Sequence, residues 1–229
     1  MTGLGERWRR VYPAYHRIAD VYERMNMAMT WGNVDRWRRQ AAALLGNGAA
    51  RVLDAGCGPG NMAKHIRAGR YVVGLDYSQE MLKAVPYDDV DKVQGVFERL
   101  PFRDDAFDAA VAGYSLHAAQ DLERAIVELS RAAREIVAVG MGKPDNGLVE
   151  LLFRMYVFYV IPLMAKALAP GRAEEYKALR EILSAAPGNK ALKALLERYL
   201  DLRYFGVRAL GAVYIFAGVR RATQLYKTA

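Results

Sequence analysis

The stretch that most constrains this chain runs from Arg51 to Gly60. An apolar run, Val52 and Leu53, reaches Asp54 and Ala55 and is followed at once by glycines at 56, 58 and 60. Glycine permits the positive φ that a tight strand-to-helix turn needs and, lacking Cβ, lets a ligand come close to the backbone. The spacing predicts a helix beginning near Gly60 with its first N–H groups unpaired. A Gly-x-Gly-x-x-Gly run would suit a dinucleotide. Here the order is Gly-x-Gly-x-Gly, with Asn61 and Met62 next, and taken alone it is equally an ordinary tight turn.

A second acid raises the ligand reading above that alternative. Tyr71 to Asp76 reads as a buried parallel strand ending on a carboxylate, about twenty residues past the glycines, where a ribose-binding acid belongs. Two adjacent hydroxyls need a bidentate acceptor, which an ionised carboxylate supplies with no competing donor. Asp76 alone could instead cap the helix that Gln79 to Leu82 begins, although Ser78 can take that part. Acids at both strand ends favour a pocket for an adenosine-bearing ligand.

Apolar periodicity orders the rest. Residues 6–45 read as helix, interrupted near Thr30 to Asn33. Strands are expected at 51–54, 71–76, 92–96, 107–112 and 135–141 with helices between them, the pattern of a parallel sheet covered on both faces. Ligands sit at the carboxyl ends of such strands, where Asp54, Asp76, Phe97 and Tyr114 fall. Helices follow at 148–168, 173–185 and 189–200. The apolar run from Met155 to Ala165 contains Pro162 and is shorter than the roughly 20 residues that cross a bilayer. It reads as a buried core helix or as a cap over a hydrophobic pocket. Segments 201–210 and 212–219 alternate as a strand pair joined by a tight turn near Gly211. The expected organisation is one domain over 1–229: a helical lid (1–46), an α/β core (47–146), a helical cap (147–200) and a closing strand pair (201–229).

Charge and cysteine narrow the classes. The net charge of +8 is spread among acids, which argues against a nucleic-acid groove. Arg7, Arg9 and Arg10, and the segment Arg36 to Arg39, are accompanied by Trp8, Tyr12, Trp31 and Trp37; they form either a solvated helix face or a membrane-surface contact. The single Cys57 excludes an internal disulfide and reads as packing in preference to a reactive thiol. The three histidines form no ligand set, so no metal is expected. The charged first dozen residues lack an apolar stretch, and a cytoplasmic location, with peripheral contact at the inner membrane face, is expected.

The Asp54 to Gly60 spacing resembles the first motif of class I S-adenosylmethionine-dependent methyltransferases, and Leu100-Pro101-Phe102 followed by Asp105 to Asp108 resembles a later one. A longer likeness covers nearly the whole chain. Tyr22, Met25, Asn26, Met29, Gly32, Trp37 and Arg38 are similar to the helical preface of the ubiquinone/menaquinone biosynthesis C-methyltransferases. Lys143-Pro144, Tyr156 to Pro162, Tyr176, Leu179 and Pro187 follow that family's insertion landmarks in order.

The resemblance implies a Rossmann-like α/β fold: a seven-stranded, mostly parallel sheet with the last strand antiparallel, helices on both faces, an N-terminal helical lid and a helical insertion. It implies S-adenosylmethionine as cofactor, held by Tyr22, Asp54, Ala55, Gly56, Gly58, Gly60, Asp76, Tyr77, Met81, Phe97, Glu98 and Tyr114. The acceptor it implies is a small hydroxylated aromatic, with a prenyl tail as an option, beside Asn26, Met29 and Tyr159, in a monomer or homodimer. Two departures stand out. Val96 replaces an Asp that bonds the adenine amino group, leaving the Phe97 and Glu98 backbone to do so. His117 and Ala118 replace an Arg-Asn pair. Carbon methylation needs electron density from a phenolate, and imidazole titrates near neutrality, so His117 is expected as general base. The alternatives are an O- or N-methylating enzyme with another small-molecule acceptor, or a non-catalytic methyltransferase-like subunit.

Overall fold

The computed structural model describes residues 3–18 and 20–222. Helices α1 (Trp8–Arg17), α2 (Tyr22–Met29) and α3 (Val34–Ala42) precede the sheet. Strands β1 (Arg51–Ala55), β2 (Tyr71–Asp76), β3 (Val90–Gln94), β4 (Phe107–Gly113), β5 (Ala133–Met141), β6 (Leu200–Arg208) and β7 (Val213–Arg220) form one sheet in the order β3-β2-β1-β4-β5-β7-β6. The first five are parallel, and β7 runs antiparallel between β5 and β6. The chain order reverses beside β1, and the crevice at the carboxyl ends of β1 and β4 is where a sheet of this kind offers a ligand site.

Side chains alternate across the central strands, so each face builds its own core. Leu53, Ala110, Ile136 and Ala138 pack on one side with Leu122, Ile126 and Leu129. Val52, Ala109, Val111 and Val137 pack on the other with Ala41, Met62 and Ile66. Strands buried on both faces explain the near-continuous apolar runs read from the sequence.

The connecting helices are α4 (Ala63–Ile66), α5 (Gln79–Lys83) and α6 (Leu122–Ala132). The helix expected from Gly60 therefore starts at Ala63 and makes little more than one turn. Its contribution is to close the glycine turn and not to offer a helix N-terminus. Ser78, not Asp76, caps α5 by accepting from Met81 N–H at 3.3 Å.

In the cap, α7 (Gly147–Met155), a wide π-helical turn (Tyr156–Val160) and α8 (Ile161–Leu168) form one continuous rod, followed by α9 (Ala178–Ala185) and α10 (Asn189–Tyr199). Pro162 has no N–H for the Phe158 carbonyl, and Arg180 donates to that oxygen instead. The rod spans 22 residues and only 17% of its apolar window is buried. Both parts of the sequence expectation are corrected: it is long enough to cross a bilayer by length and composition, and it is no buried core helix. Its inner residues Val157, Ile161 and Ala165 do pack on the lid, as a cap requires. The turn before β7 is also looser than expected, with Ala209, Leu210 and Gly211 all at positive φ.

Candidate active site

Two cavities meet at the strand ends. The first is a cleft of about 100 Å³ between the glycine turn, Asp76, Phe97 and the α1 aromatics Trp8 and Tyr12. The second, about 500 Å³, lies among the lid, the strand ends and the rod, with Trp37, Phe153, Val157 and Ile161 in its wall. Tyr15, Tyr22 and Tyr114 line both. Tyr114 holds φ 60°, an unusual conformation for a bulky residue, at the end of β4.

At Gly56, φ is 67° and a Cβ would stand 2.4 Å from Ser115 Cβ, so no other residue fits. Ser115 donates its hydroxyl to Ala55 O at 2.8 Å, which fixes the two loops together. Asp76 accepts from Gly58 N–H at 2.9 Å and Ser78 N–H at 2.8 Å. These bonds set the carboxylate at the strand end. Gly60 is corrected: a Cβ there meets Tyr87 and Val85 at 3.2 Å, so this glycine serves the turn and does not line the cleft.

Asp54 is fully buried, and neither carboxylate oxygen accepts a hydrogen bond of good geometry, although the Ala63 amide lies close enough to favour its charged form. Burial, reinforced by the charge of Asp76, pushes its carboxyl up to about 7, while the Ala63 amide and Arg38 pull it back only in part. Arg38 on α3 is 1% exposed; its Nη1 donates to Glu23 Oε1 and Oε2 at 2.8 and 3.0 Å. Its Nε and Nη2 have no partner. Asn61 donates to the same Glu23 at 2.8 Å and so ties the lid to the glycine turn. Orphaned buried groups are rare in native proteins and call for an explanation. A bare carboxylate and a half-bare guanidinium complement the ammonium and carboxylate of an α-amino acid. Asp54 and Arg38 line neither cavity, whereas Gly56, Gly58 and Asp76 line the cleft and suit the ribose of S-adenosylmethionine. Arg38 was not among the expected site residues, although its signal was present: it shares an i, i+4, i+7 buried face with Val34 and Ala41.

The nucleoside end is narrower than the ligand requires. Trp8 stacks on Tyr12 at 4.8 Å, and both meet the Tyr77 ring edge-on, at 5.0 and 4.0 Å. The cleft they leave is smaller than the roughly 300–1,000 Å³ of small-ligand sites. Trp8 and Tyr12 therefore line the cleft, packed against Tyr77. Met81 is buried in the wall, and Val96 and Phe97 lie along it. Glu98 lines the cleft as expected; its Oε1 accepts from Gln120 N–H at 2.7 Å and Asp121 N–H at 3.1 Å, and its backbone carbonyl accepts from Arg124 Nε at 3.3 Å. Cys57 is buried and its thiol is pushed well up by burial, which leaves it a packing residue.

In the larger cavity, Asn26, Met29 and His117 are lining residues as expected. Tyr159 is not: it is 70% exposed on the opposite side of the rod, and Tyr156 takes the inner place, donating to Met29 O at 2.8 Å. His117 accepts the Met141 N–H at Nδ1, 3.2 Å away. The neutral ring therefore carries its proton on Nε2. Burial lowers its pKa to about 4, so the ring is neutral at neutral pH, and the nitrogen that could take a proton already accepts the Met141 N–H, which does not suit the expected general base. Among the described residues no cluster of acids, histidines or cysteines could hold a metal.

The sequence matches the ubiE/COQ5 methyltransferase family over residues 1–218. A demethylmenaquinone methyltransferase from Mycobacterium sp. (strain KMS) is 31% identical over 188 residues, 80% of this chain and 81% of that protein. One from Thermus thermophilus is 31% identical over 215 residues, 86% of this chain and 97% of its own length. A Thermotoga maritima S-adenosylmethionine-dependent methyltransferase of known structure superimposes with a TM-score of 0.61 at 17% identity, over 92% of this chain and 100% of that one. Since the match runs unbroken through lid, glycine turn, rod and closing strands, this chain belongs to the ubiE/COQ5 methyltransferase family.

Proposed function

We propose that this methyltransferase alkylates a ring carbon of a hydroxylated aromatic quinone precursor, of the type that demethylmenaquinone methyltransferases are named for, and that it works in the cytoplasm beside the membrane holding such compounds. The supporting observation is the junction at Tyr15, Tyr22 and Tyr114, which joins the cleft at the glycine turn and Asp76 to an apolar cavity of about 500 Å³. That volume lies within the range of small-ligand sites and suits a ring with an apolar substituent.

S-adenosylmethionine is the methyl donor, and when bound it supplies an electrophilic methyl on a sulfonium. Asp54 and Arg38 would hold its amino-acid end and Asp76 its ribose hydroxyls. Tyr15, Tyr22 and Tyr114 are held neutral by burial, which raises all three phenols, so they screen the junction from water without adding charge. His117 has no protein partner for Nε2 among the described residues and donates that proton to an acceptor oxygen. A donor there favours the ionised hydroxyl, whose electron density makes the adjacent ring carbon nucleophilic; as the methyl leaves sulfur for that carbon, the hydroxyl proton and then the displaced ring proton pass to water. Incubation with methyl-labelled S-adenosylmethionine and a cell lipid extract tests the reading: a labelled quinone-type lipid is expected, and label only in polar products would overturn it.

A further inference from the structure

The rod from Gly147 to Leu168 carries a second apolar face that no described residue covers. Its inner residues Phe153, Val157, Ile161 and Ala165 are spaced by four, toward the lid. Its outer residues Leu148, Leu152, Met155, Tyr159 and Leu163 follow at four and three, and Leu148 and Leu163 are 69% and 68% exposed. Each step of four overshoots a helical turn by about 40°. The wide turn at Tyr156–Val160 takes back part of that drift, so both faces stay aligned past Pro162.

Two further exposed apolar residues extend this face around the larger cavity. Trp31, 80% exposed, lines that cavity and follows the Met29-Thr30 segment to which Tyr156 bonds at the middle of the rod. Leu210, 82% exposed, follows Ala209 of the cavity wall, and the adjoining Gly211 packs on Pro144 just before the rod. The mouth of the cavity is thus bordered by apolar side chains that face solvent.

On the rod itself bases outnumber acids, while Asp20 pairs with Arg172 at 3.7 Å and Glu174 lies near Lys166. Between Gly147 and Arg172 the bases are Arg154, Lys166 and Arg172, against a single acid, Glu150. Glu150 is already engaged by Lys143 at 3.4 Å. Arg154 and Lys166 make no ion pair within 4.0 Å among the described residues. A second copy on the same face would bring like charges together, and the wide turn would interrupt regular helix–helix packing. A fluid anionic lipid surface answers both features, with leucines in the acyl boundary, Tyr159 and Trp31 at headgroup level and the bases against phosphates.

We propose that the outer face of the rod, with Trp31 and Leu210, seats this protein on an anionic bilayer surface and opens the larger cavity toward the lipid. Passage of an acceptor tail from lipid into the cavity rests on the function proposed above; the seating does not. The test is flotation of the full chain with phosphatidylcholine vesicles, with and without phosphatidylglycerol, for wild type and the Leu152→Glu, Leu163→Glu double variant. The wild type is expected to float with the anionic vesicles, and the double variant to lose more than about tenfold in affinity, with an unchanged circular-dichroism melt. If the double variant unfolds, Leu148→Glu replaces it with the same direction of effect.

Wild type that floats with neither vesicle, or a variant that floats as well as wild type, overturns the proposal. So does a vesicle-free wild-type dimer in the ultracentrifuge that the double variant dissociates, because the face would then seat a second copy. Flotation needs no turnover, so its failure and failure of the methyl-acceptor reading are separately visible.

Discussion

Asp54→Asn separates what holds the fold from what holds the ligand. The carboxyl titrates at 3.8 in its ordinary state and at about 7 in the folded protein. Below the lower value it is neutral in both states; the penalty for burying the anion grows as pH rises and is complete above the folded value. A gap of about three units at about 1.4 kcal/mol each gives about 4 kcal/mol. The Asn amide, left without a partner, returns about 1–3 kcal/mol of that. The ligand-free variant should therefore be about 2 kcal/mol more stable than wild type near pH 8, roughly 4–8 °C in Tm for a chain of this size. Near pH 5 the advantage fades to about zero. Thermal melts followed by circular dichroism at both pH values, with and without S-adenosylmethionine, measure this directly. The cofactor should raise the Tm of wild type and leave that of the variant unmoved. A variant that melts no higher than wild type at the upper pH, or that the cofactor stabilises equally, refutes the role given to this carboxylate.

Three other changes probe the remaining parts. Arg38→Met should raise the KM for S-adenosylmethionine more than about tenfold with kcat within about twofold, whereas an equal fall in kcat alone would place Arg38 elsewhere in the reaction. Trp8→Ala should speed cofactor association severalfold in stopped-flow fluorescence by loosening the Trp8–Tyr12–Tyr77 cluster, and an unchanged rate would mean that α1 does not gate the cleft. His117 has its pKa lowered to about 4 from 6.5, so its contribution to stability is full above the higher value and is lost as pH falls toward the lower. His117→Gln should remove up to about 3 kcal/mol of that acid limb, and a kcat limb near neutrality that disappears in this variant would restore the base role.

The strands were legible because a sheet buried on both faces leaves little choice of residue: β1, β2, β4 and β7 lie within about two residues of their expected bounds. The glycine turn and both acids were legible for a local reason, since positive φ and strand-end position are written in short sequence. What escaped depends on pairing between distant elements. Arg38 looks like a surface arginine until Glu23 of another helix meets it. The His117 tautomer is set by the amide of Met141, 24 residues away in the chain. Tyr156 and Tyr159 looked interchangeable, but the wide turn and the helical period between them place one in the cavity and the other outside. The rod's exposure was hidden because an apolar run reads the same whether protein or lipid covers it.

The central claim is carbon methylation of a hydroxylated aromatic ring. Two acceptors decide it: a hydroxylated naphthalene or benzene ring with one open carbon beside the hydroxyl, and the same compound with that carbon already methylated. With purified protein and methyl-labelled S-adenosylmethionine, NMR of the products should show a new ring C-methyl group on the first and no reaction with the second. An O-methyl product from either compound, with no new ring C-methyl group, would contradict the account.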